Sequence, residues 1–194
     1  MTDRLAITAS DVFRMVSALG EQGRIDVEWS ESLSLPASAD DFAVEAVWVL
    51  CNSGMKHSVA RIIQSRVMDA IHNGRPVREA FGHPGKAAAM QDIWDRRETY
   101  FSGFLAAQDR LAYLAGLPWI GNVTKFHLAK NCGIDCAKPD VHLQRLASRE
   151  GASVHEMCSR LARETGYRVA TVDVILWRAC ATGLIDSRTG EMKA

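Results

Sequence analysis

Leu117-Pro118-Trp119-Ile120-Gly121-Asn122-Val123-Thr124-Lys125 is the stretch that decides how this chain folds. A short helical segment, Leu111 to Ala115, runs into it through Gly116, and a second helical run follows from Asn122 to about Lys130. Two helices joined by so tight a turn leave the first N–H groups of the second without intrahelical partners. Those donors and the helix dipole together attract an anion. Gly121 removes the side chain that would keep a phosphate at a distance, and Lys125 in the same first turn adds a charge-assisted contact. Such a turn grips a nucleic-acid backbone and reads no sequence. The competing reading is an ordinary helix corner with glycine chosen for positive φ. On these nine residues alone the two readings balance.

Working outward, helical signals dominate. Ser10 precedes a run with Val12, Met15, Val16 and Leu19 on one face, closed by Gly20. Glu21 to Ala39 looks irregular, with Pro36 marking a turn. Asp41 to Cys51 is apolar on nearly every side, which suits a central buried helix. Asn52-Ser53-Gly54 interrupts it, and Val59, Ala60, Ile63, Val67 and Ile71 then form a helical stripe. Asn73-Gly74-Arg75-Pro76 and Gly82-His83-Pro84-Gly85 are breaks. Met90 to Ala107 reads as one long helix. Val141 to Arg149, a segment opened by the capping box of Ser153 and Glu156, and Thr171 to Ala181 complete the set. The tail beyond Ile185 is polar and reads as loose. No repeat, low-complexity tract or strand pattern is present, so the expected class is all-α.

The 194 residues are 47% hydrophobic and 24% charged, an ordinary globular composition. Lys+Arg and Asp+Glu both number 23, so no global field draws in a polyanion and any nucleic-acid surface is a local patch. No signal-like N-terminus or membrane-length apolar run appears, and the expected location is cytoplasmic. Cys51, Cys132, Cys136, Cys158 and Cys180 are an odd set at scattered spacings. They read as reduced buried thiols rather than a zinc or iron–sulfur cluster.

Lys138-Pro139-Asp140-Val141-His142-Leu143-Gln144-Arg145-Leu146 tips the balance left by the hairpin. Pro139 fixes the approach to a helix and Asp140 stands at its N-cap. His142, Arg145 and Arg149 recur at helical spacing and share a face. Breaking a bond between sugar and base passes through an oxocarbenium-like state, which one fixed anion stabilises while it also orients water. A plain structural N-cap is the commonest role for Asp at such a place. Following the hairpin at this interval, the catalytic reading outweighs it.

Leu117 to Arg149 resembles the helix-hairpin-helix/Gly-Pro-Asp superfamily of DNA base-excision glycosylases, which includes endonuclease III and the 8-oxoguanine glycosylases. Those proteins carry a Leu-Pro-Gly-Val-Gly-type hairpin, a helix, and a Val-Asp-x-His element whose Asp is catalytic. Pro139-Asp140-Val141-His142 falls on that element, and the seventeen positions from Val123 to Asp140 are close to the family interval. The resemblance implies an all-α glycosylase fold, a single domain over 1–194 with two helical lobes and a flipped base in the cleft between them, and a helix-hairpin-helix over 115–130. It implies a monomer acting on DNA that carries a modified or damaged base, in a bacterial or phage-infected cell. Asp140 would be catalytic, while Gly121, Asn122, Val123, Thr124, Lys125, His142 and Arg145 would contact DNA. The backbone carbonyls of Ala115, Leu117 and Ile120 would hold a monovalent cation, K+ or Na+, and no other cofactor is required.

Departures from the pattern are informative. Trp119 replaces the first glycine of the hairpin, which suggests a reshaped turn. Val123 stands where bifunctional members keep a Schiff-base lysine, so lyase activity is not expected. The four-cysteine iron–sulfur loop is missing. Asn52-Ser53-Gly54-Met55-Lys56-His57 falls where members keep a wedge loop that fills the gap left by an extruded base; Asn52 and His57 are the candidate wedge residues, against a plain turn with Asn and Gly as caps. Asp173, one turn from Trp177, reads either as a buried acid near the pocket or as a structural partner of Arg178 or Arg168. Trp48, Trp94, Phe101 and Phe104 read as core.

Three functions compete. The first is a monofunctional N-glycosylase. The second is a glycosylase-fold transferase of phage-type thymine hypermodification, which would attach an amine or amino acid to an activated base; the Lys-Pro-Asp-x-His element and the downstream Asp-x-x-Leu-Trp resemble that set as well. The third is a DNA-binding module without catalysis, disfavoured because a pure binder gains nothing from an acid placed near phosphate.

Overall fold

A computed structural model describes residues 6–193. Among them are twelve helices: α1 (Ala9–Ala18), α2 (Gly20–Ser32), α3 (Ala39–Asn52), α4 (His57–His72), α5 (Val77–Ala80), α6 (Pro84–Asp95), α7 (Arg97–Ala106), α8 (Arg110–Ala115), α9 (Thr124–Asn131), α10 (Val141–Arg149), α11 (Val154–Thr165) and α12 (Val169–Ala181). The only β-pairing among the described residues is an isolated antiparallel bridge, Ile185 to Met192. The chain is all-α. No helix among the described residues is long and apolar enough to cross a membrane. The chain divides into two compact units, one made of the internal segment 34–133 and the other of the segments before and after it.

The internal unit is organised on α3, which packs on α4, α6, α7 and α9. Its sequence is apolar on most sides, and Phe42, Ala43, Ala46, Val47, Val49 and Leu50 are all buried. Phe42 stacks on Phe104 with ring centroids 5.2 Å apart. The helix starts where Ser38 Oγ accepts the Asp41 N–H at 3.1 Å, a side-chain cap for one of the orphan donors. The single helix expected over Met90–Ala107 is two. Arg96 leaves helical geometry at φ −108°, ψ 19° and its N–H closes α6, although no Gly or Pro marks the break.

The second unit joins α1 and α2 to α10, α11 and α12 around Val12, Met15, Leu143, Leu146, Leu161 and Ile175. Glu21–Ala39, expected to be irregular, is mostly the helix α2. Its buried positions are Gly23, Asp26 and Ser30, a polar stripe at helical spacing. Gly23 lets α2 approach α1: a Cβ there would meet the Val16 carbonyl oxygen at 2.5 Å. Asp26 accepts from Arg178 of α12 in a two-pronged pair, Nε to Oδ2 at 2.7 Å and Nη2 to Oδ1 at 3.0 Å. At the far end the two helices cap each other. Arg168 Nη1 donates to the carbonyls of Ser30 (3.2 Å) and Leu33 (2.6 Å), while Glu31 Oε1 accepts the Arg168 N–H at 2.9 Å and the Thr171 hydroxyl at 2.6 Å.

The tail expected to be loose is an ordered hairpin. The Asp186 N–H donates to the Glu191 carbonyl at 3.0 Å and the Lys193 N–H to the Leu184 carbonyl at 2.8 Å. Arg149 Nη1 on α10 donates to the Arg188 carbonyl at 3.1 Å, and Gly190 leaves room for that guanidinium, since a Cβ there would lie 2.9 Å from Arg149 Nε. The Asp26 carboxylate is the buried partner in the α2–α12 pair, with its side chain 7% exposed against 29% for Arg178. Removing the cation strands it. Arg178→Met is therefore expected to cost about 3 kcal/mol in urea unfolding, and adding Asp26→Leu to recover most of that loss.

Candidate functional site

The hairpin lies in the internal unit, between α8 and α9. Asp109 opens α8 by accepting the Ala112 N–H at 2.9 Å, and α8 ends in overlapping turn bonds from Gly116 and Leu117 to Tyr113 and Leu114. Leu117 and Ile120 point inward and are buried, while Trp119 and Val123 are 55% and 46% exposed. Beyond Ile120, the N–H groups of Gly121, Asn122, Val123 and Thr124 donate to no acceptor among the described residues; the next, Lys125, bonds to the Gly121 carbonyl at 2.9 Å. Four consecutive donors thus stand open at the start of a helix, the arrangement that favours an anion. The far end of α9 is tied to α3: buried Asn131 donates from Nδ2 to Glu45 Oε2 at 2.8 Å, and burial holds the Glu45 carboxyl above its ordinary range.

Gly121 is not the positive-φ residue of this turn, and a Cβ on it would meet nothing within 4 Å. The corner reading, glycine for backbone conformation, therefore fails at Gly121. The left-handed residue is Trp119, at φ 60°. The replacement of the expected glycine does not move this position out of the region a glycine takes; it adds a backbone cost of roughly 1–2 kcal/mol. Its indole has a seat. A Cβ on Gly85, in the first turn of α6, would lie 2.3 Å from Trp119 Cζ2, and the His83 ring meets the indole edge-on at 5.0 Å. Of the three carbonyls expected to hold a cation, those of Ala115 and Ile120 accept no hydrogen bond among the described residues, and that of Leu117 accepts one, from the Ile120 N–H at 3.1 Å. Lys125 Nζ lies over the Phe126 ring, 5.4 Å from its centroid.

Asp140 lies in the other unit and is the N-cap of α10, with φ −83° and ψ 173°. Both capping bonds go to one oxygen: Oδ1 accepts the N–H groups of His142 at 2.9 Å and Leu143 at 3.0 Å. Oδ2 accepts no hydrogen bond among the described residues, and the residue is only half-buried. The structural cap is real, and it leaves half of the carboxylate for something else. Cys180 is its near neighbour. Burial first, then the charges of Asp140 and Asp186, push that thiol up to about 12, away from the thiolate form.

His142 is engaged. Its Nδ1 lies 3.1 Å from the buried Ser187 hydroxyl on the C-terminal hairpin. Arg145, half-buried on the next turn, has no hydrogen-bond or ion-pair partner among the described residues. Asp173 is 2% exposed and its Oδ1 accepts the Lys138 N–H at 2.6 Å; Arg178, one of the two partners considered for it, is taken by Asp26.

The candidate wedge segment joins α3 to α4. Asn52 is the half-buried last residue of α3 and His57 the exposed first residue of α4. Gly54 takes the left-handed turn at φ 78°. Lys86 closes the end of α3 by donating from Nζ to the carbonyls of Leu50 (3.1 Å) and Ser53 (2.6 Å), and burial lowers its pKa. Trp48, read as core, is half-buried beside this segment, its ring 5.2 Å edge-on from His57 and 5.8 Å from the Arg61 guanidinium. Reading residues one at a time missed this group, although Trp48, His57 and Arg61 fall at spacings that any helix–turn–helix pairing brings together. It also missed the tie from Lys138 to Asp173, which links residues far apart in sequence and has no local signature.

Comparison with protein-family models, with curated proteins and with solved structures returned no match to this chain. The seat of the indole supplies a direct check on the hairpin. Gly85→Ala is expected to displace the Trp119 ring, moving its Nε1–H resonance while those of the other four tryptophans stay in place, with a stability loss of about 1 kcal/mol from the forfeited aromatic contact.

Proposed function

We propose that this chain is a DNA base-acting enzyme: a monofunctional N-glycosylase that flips a damaged or modified nucleobase and releases it with Asp140. The observation that carries this reading is the division of labour within one carboxylate. Two backbone N–H groups hold Oδ1 in place and Oδ2 is left open. An anion fixed in that way is suited to a sugar cation, because it need not reorganise when the charge develops. In the reaction the C1′–N bond breaks and its electron pair leaves with the base. A water oxygen bonds to C1′, and its proton passes to Oδ2 and on to solvent or the departing base.

The hairpin supports a backbone grip. The open N–H groups of residues 121–124 would receive phosphate oxygens, with Lys125, Arg145 and the remaining ring nitrogen of His142 adding positive contacts. The carbonyls of Ala115, Leu117 and Ile120 are neutral oxygen donors with lone pairs to spare, a set that suits a hard monovalent cation. Such an ion would supply positive charge towards a phosphate. Asn52 and His57 would fill the gap left by the extruded base, with Trp48 and Arg61 bracing the histidine. Val123 carries no amine, so the enzyme excises the base and leaves the strand intact.

The test is incubation with a panel of duplexes that each carry one modified base, such as uracil, 8-oxoguanine, an alkylated adenine or 5-hydroxymethyluracil, followed by mass spectrometry. Free base plus an abasic site is the expected product. A heavier, intact base would instead establish amine transfer, and binding with no product would leave only a DNA-binding module. Asp140→Asn should lower turnover at least about 100-fold. Its stability should change by less than about 1 kcal/mol, since Asn caps a helix as well as Asp does, and duplex affinity should persist. An Asp140→Asn protein with undiminished turnover would end the proposal. Borohydride treatment during turnover should trap no covalent protein–DNA adduct.

A further inference from the structure

We infer that Asp173 is a positioning residue for Asp140, acting through the backbone of Lys138; the inference rests on the reading of Asp140 as the acting group. The residues leading into α10 are laced to the first turns of α12 in both directions. Asp135 Oδ1 accepts the Ala170 N–H at the start of α12 at 2.9 Å, with the Arg168 Nε 3.8 Å away. One turn further along α12, Asp173 Oδ1 accepts the Lys138 N–H at 2.6 Å.

The second tie bears directly on the site. The Lys138 carbonyl in turn accepts the Asp140 N–H at 2.8 Å, a three-residue turn across Pro139. Lys138 is therefore held on its N–H side by Asp173 and on its carbonyl side by Asp140, and Pro139 between them has its φ fixed by the ring. A single residue's backbone separates the buried carboxylate from the half-open one. Burial of a carboxylate on an otherwise apolar helix face costs free energy unless it is hydrogen-bonded. Here that bond sets the turn that aims Asp140. Asp173, at 2% exposure, is out of reach of any substrate, so its effect on chemistry passes through the orientation of Oδ2.

Two variants of the full chain test this. Asp173→Asn keeps a side-chain oxygen that accepts from Lys138, whereas Asp173→Ala removes it. The first readout needs no DNA: amide hydrogen exchange at His142 and Leu143, the two donors to Asp140. In Asp173→Ala their protection should fall at least about 10-fold relative to Met157 and Leu161 of α11, and in Asp173→Asn it should stay within about 3-fold of wild type. Unchanged protection in the Ala variant overturns the inference. If that variant does not fold, the Asn variant decides, and loss of protection there overturns it.

The second readout is turnover against affinity on whichever duplex of the panel is processed. Asp173→Ala should lower kcat at least about 10-fold with the Kd for unmodified duplex unchanged, and Asp173→Asn should restore most of it. A loosened cap with wild-type kcat, or an Asn variant as slow as the Ala one, overturns positioning. The two readings fail separately: an active Asp140→Asn protein sinks the glycosylase proposal, while the exchange result still judges the tie from Asp173 to the cap.

Discussion

The seam between α2 and α12 is the constraint on which the second unit depends. Its two helices come from opposite ends of the described chain, and what joins them is largely polar: the two-pronged Asp26–Arg178 pair at one end and the Arg168–Glu31 exchange of caps at the other. A buried ion pair contributes little net stability compared with a well-packed apolar contact, but it tolerates only one register. Sliding α2 by one turn would strand Asp26 and uncover the carbonyls that Arg168 serves. The seam thus fixes α12 along its length. From α12, through Asp135 and Asp173, the constraint passes to the residues that enter α10.

Asp140 shows how a structural role can leave part of a side chain open to the chemistry proposed for it. A carboxylate has two oxygens and lone pairs to spare. Here the helix uses one oxygen twice, and the geometry of capping determines where the other stands. That economy suits the proposed chemistry, which asks for a fixed negative charge and no partner acid. The hairpin in the other unit follows a similar logic with the opposite sign. Its open N–H groups are unused by the fold, and the backbone strain at Trp119 is offset by an indole seated where Gly85 has no side chain.

What could be read from the sequence followed from whether the signal is local. The capping box of Ser153 and Glu156, the cap at Asp140 and the all-helical character were legible because each rests on residues within a turn of one another, and the bonds are present. Helix α2 was not, because a helical stripe is recognised by apolar residues, whereas its buried stripe is Gly23, Asp26 and Ser30, and the charge of Asp26 is met by Arg178 of distant α12. The break at Arg96 has no glycine or proline to announce it. The tail looked loose because its hydrogen bonds close on themselves and on Arg149, which a polar composition does not reveal. Trp119 was read as reshaping the turn; a tryptophan there is legible as costly, but the compensating space at Gly85 is not. Asp173 was recognised as an acid among apolar residues, but the Lys138 N–H that it accepts lies 35 positions away in sequence and has no local signature.

The interleaved connectivity sets an order of assembly during translation. The internal segment 34–133 is contiguous, so once residue 133 has left the ribosome every helix it packs against already exists. Helices α1 and α2 emerge earlier but must wait for α12, which ends 149 positions after Ser32, with Asp26, Gly23 and Ser30 facing water until then. At synthesis rates of about 5–20 residues per second, that wait lasts roughly 7–30 s. A stripe of small and polar residues suits such an interval better than an apolar one, and on the waiting pair it confines the exposed core residues mainly to Val12 and Met15 of α1.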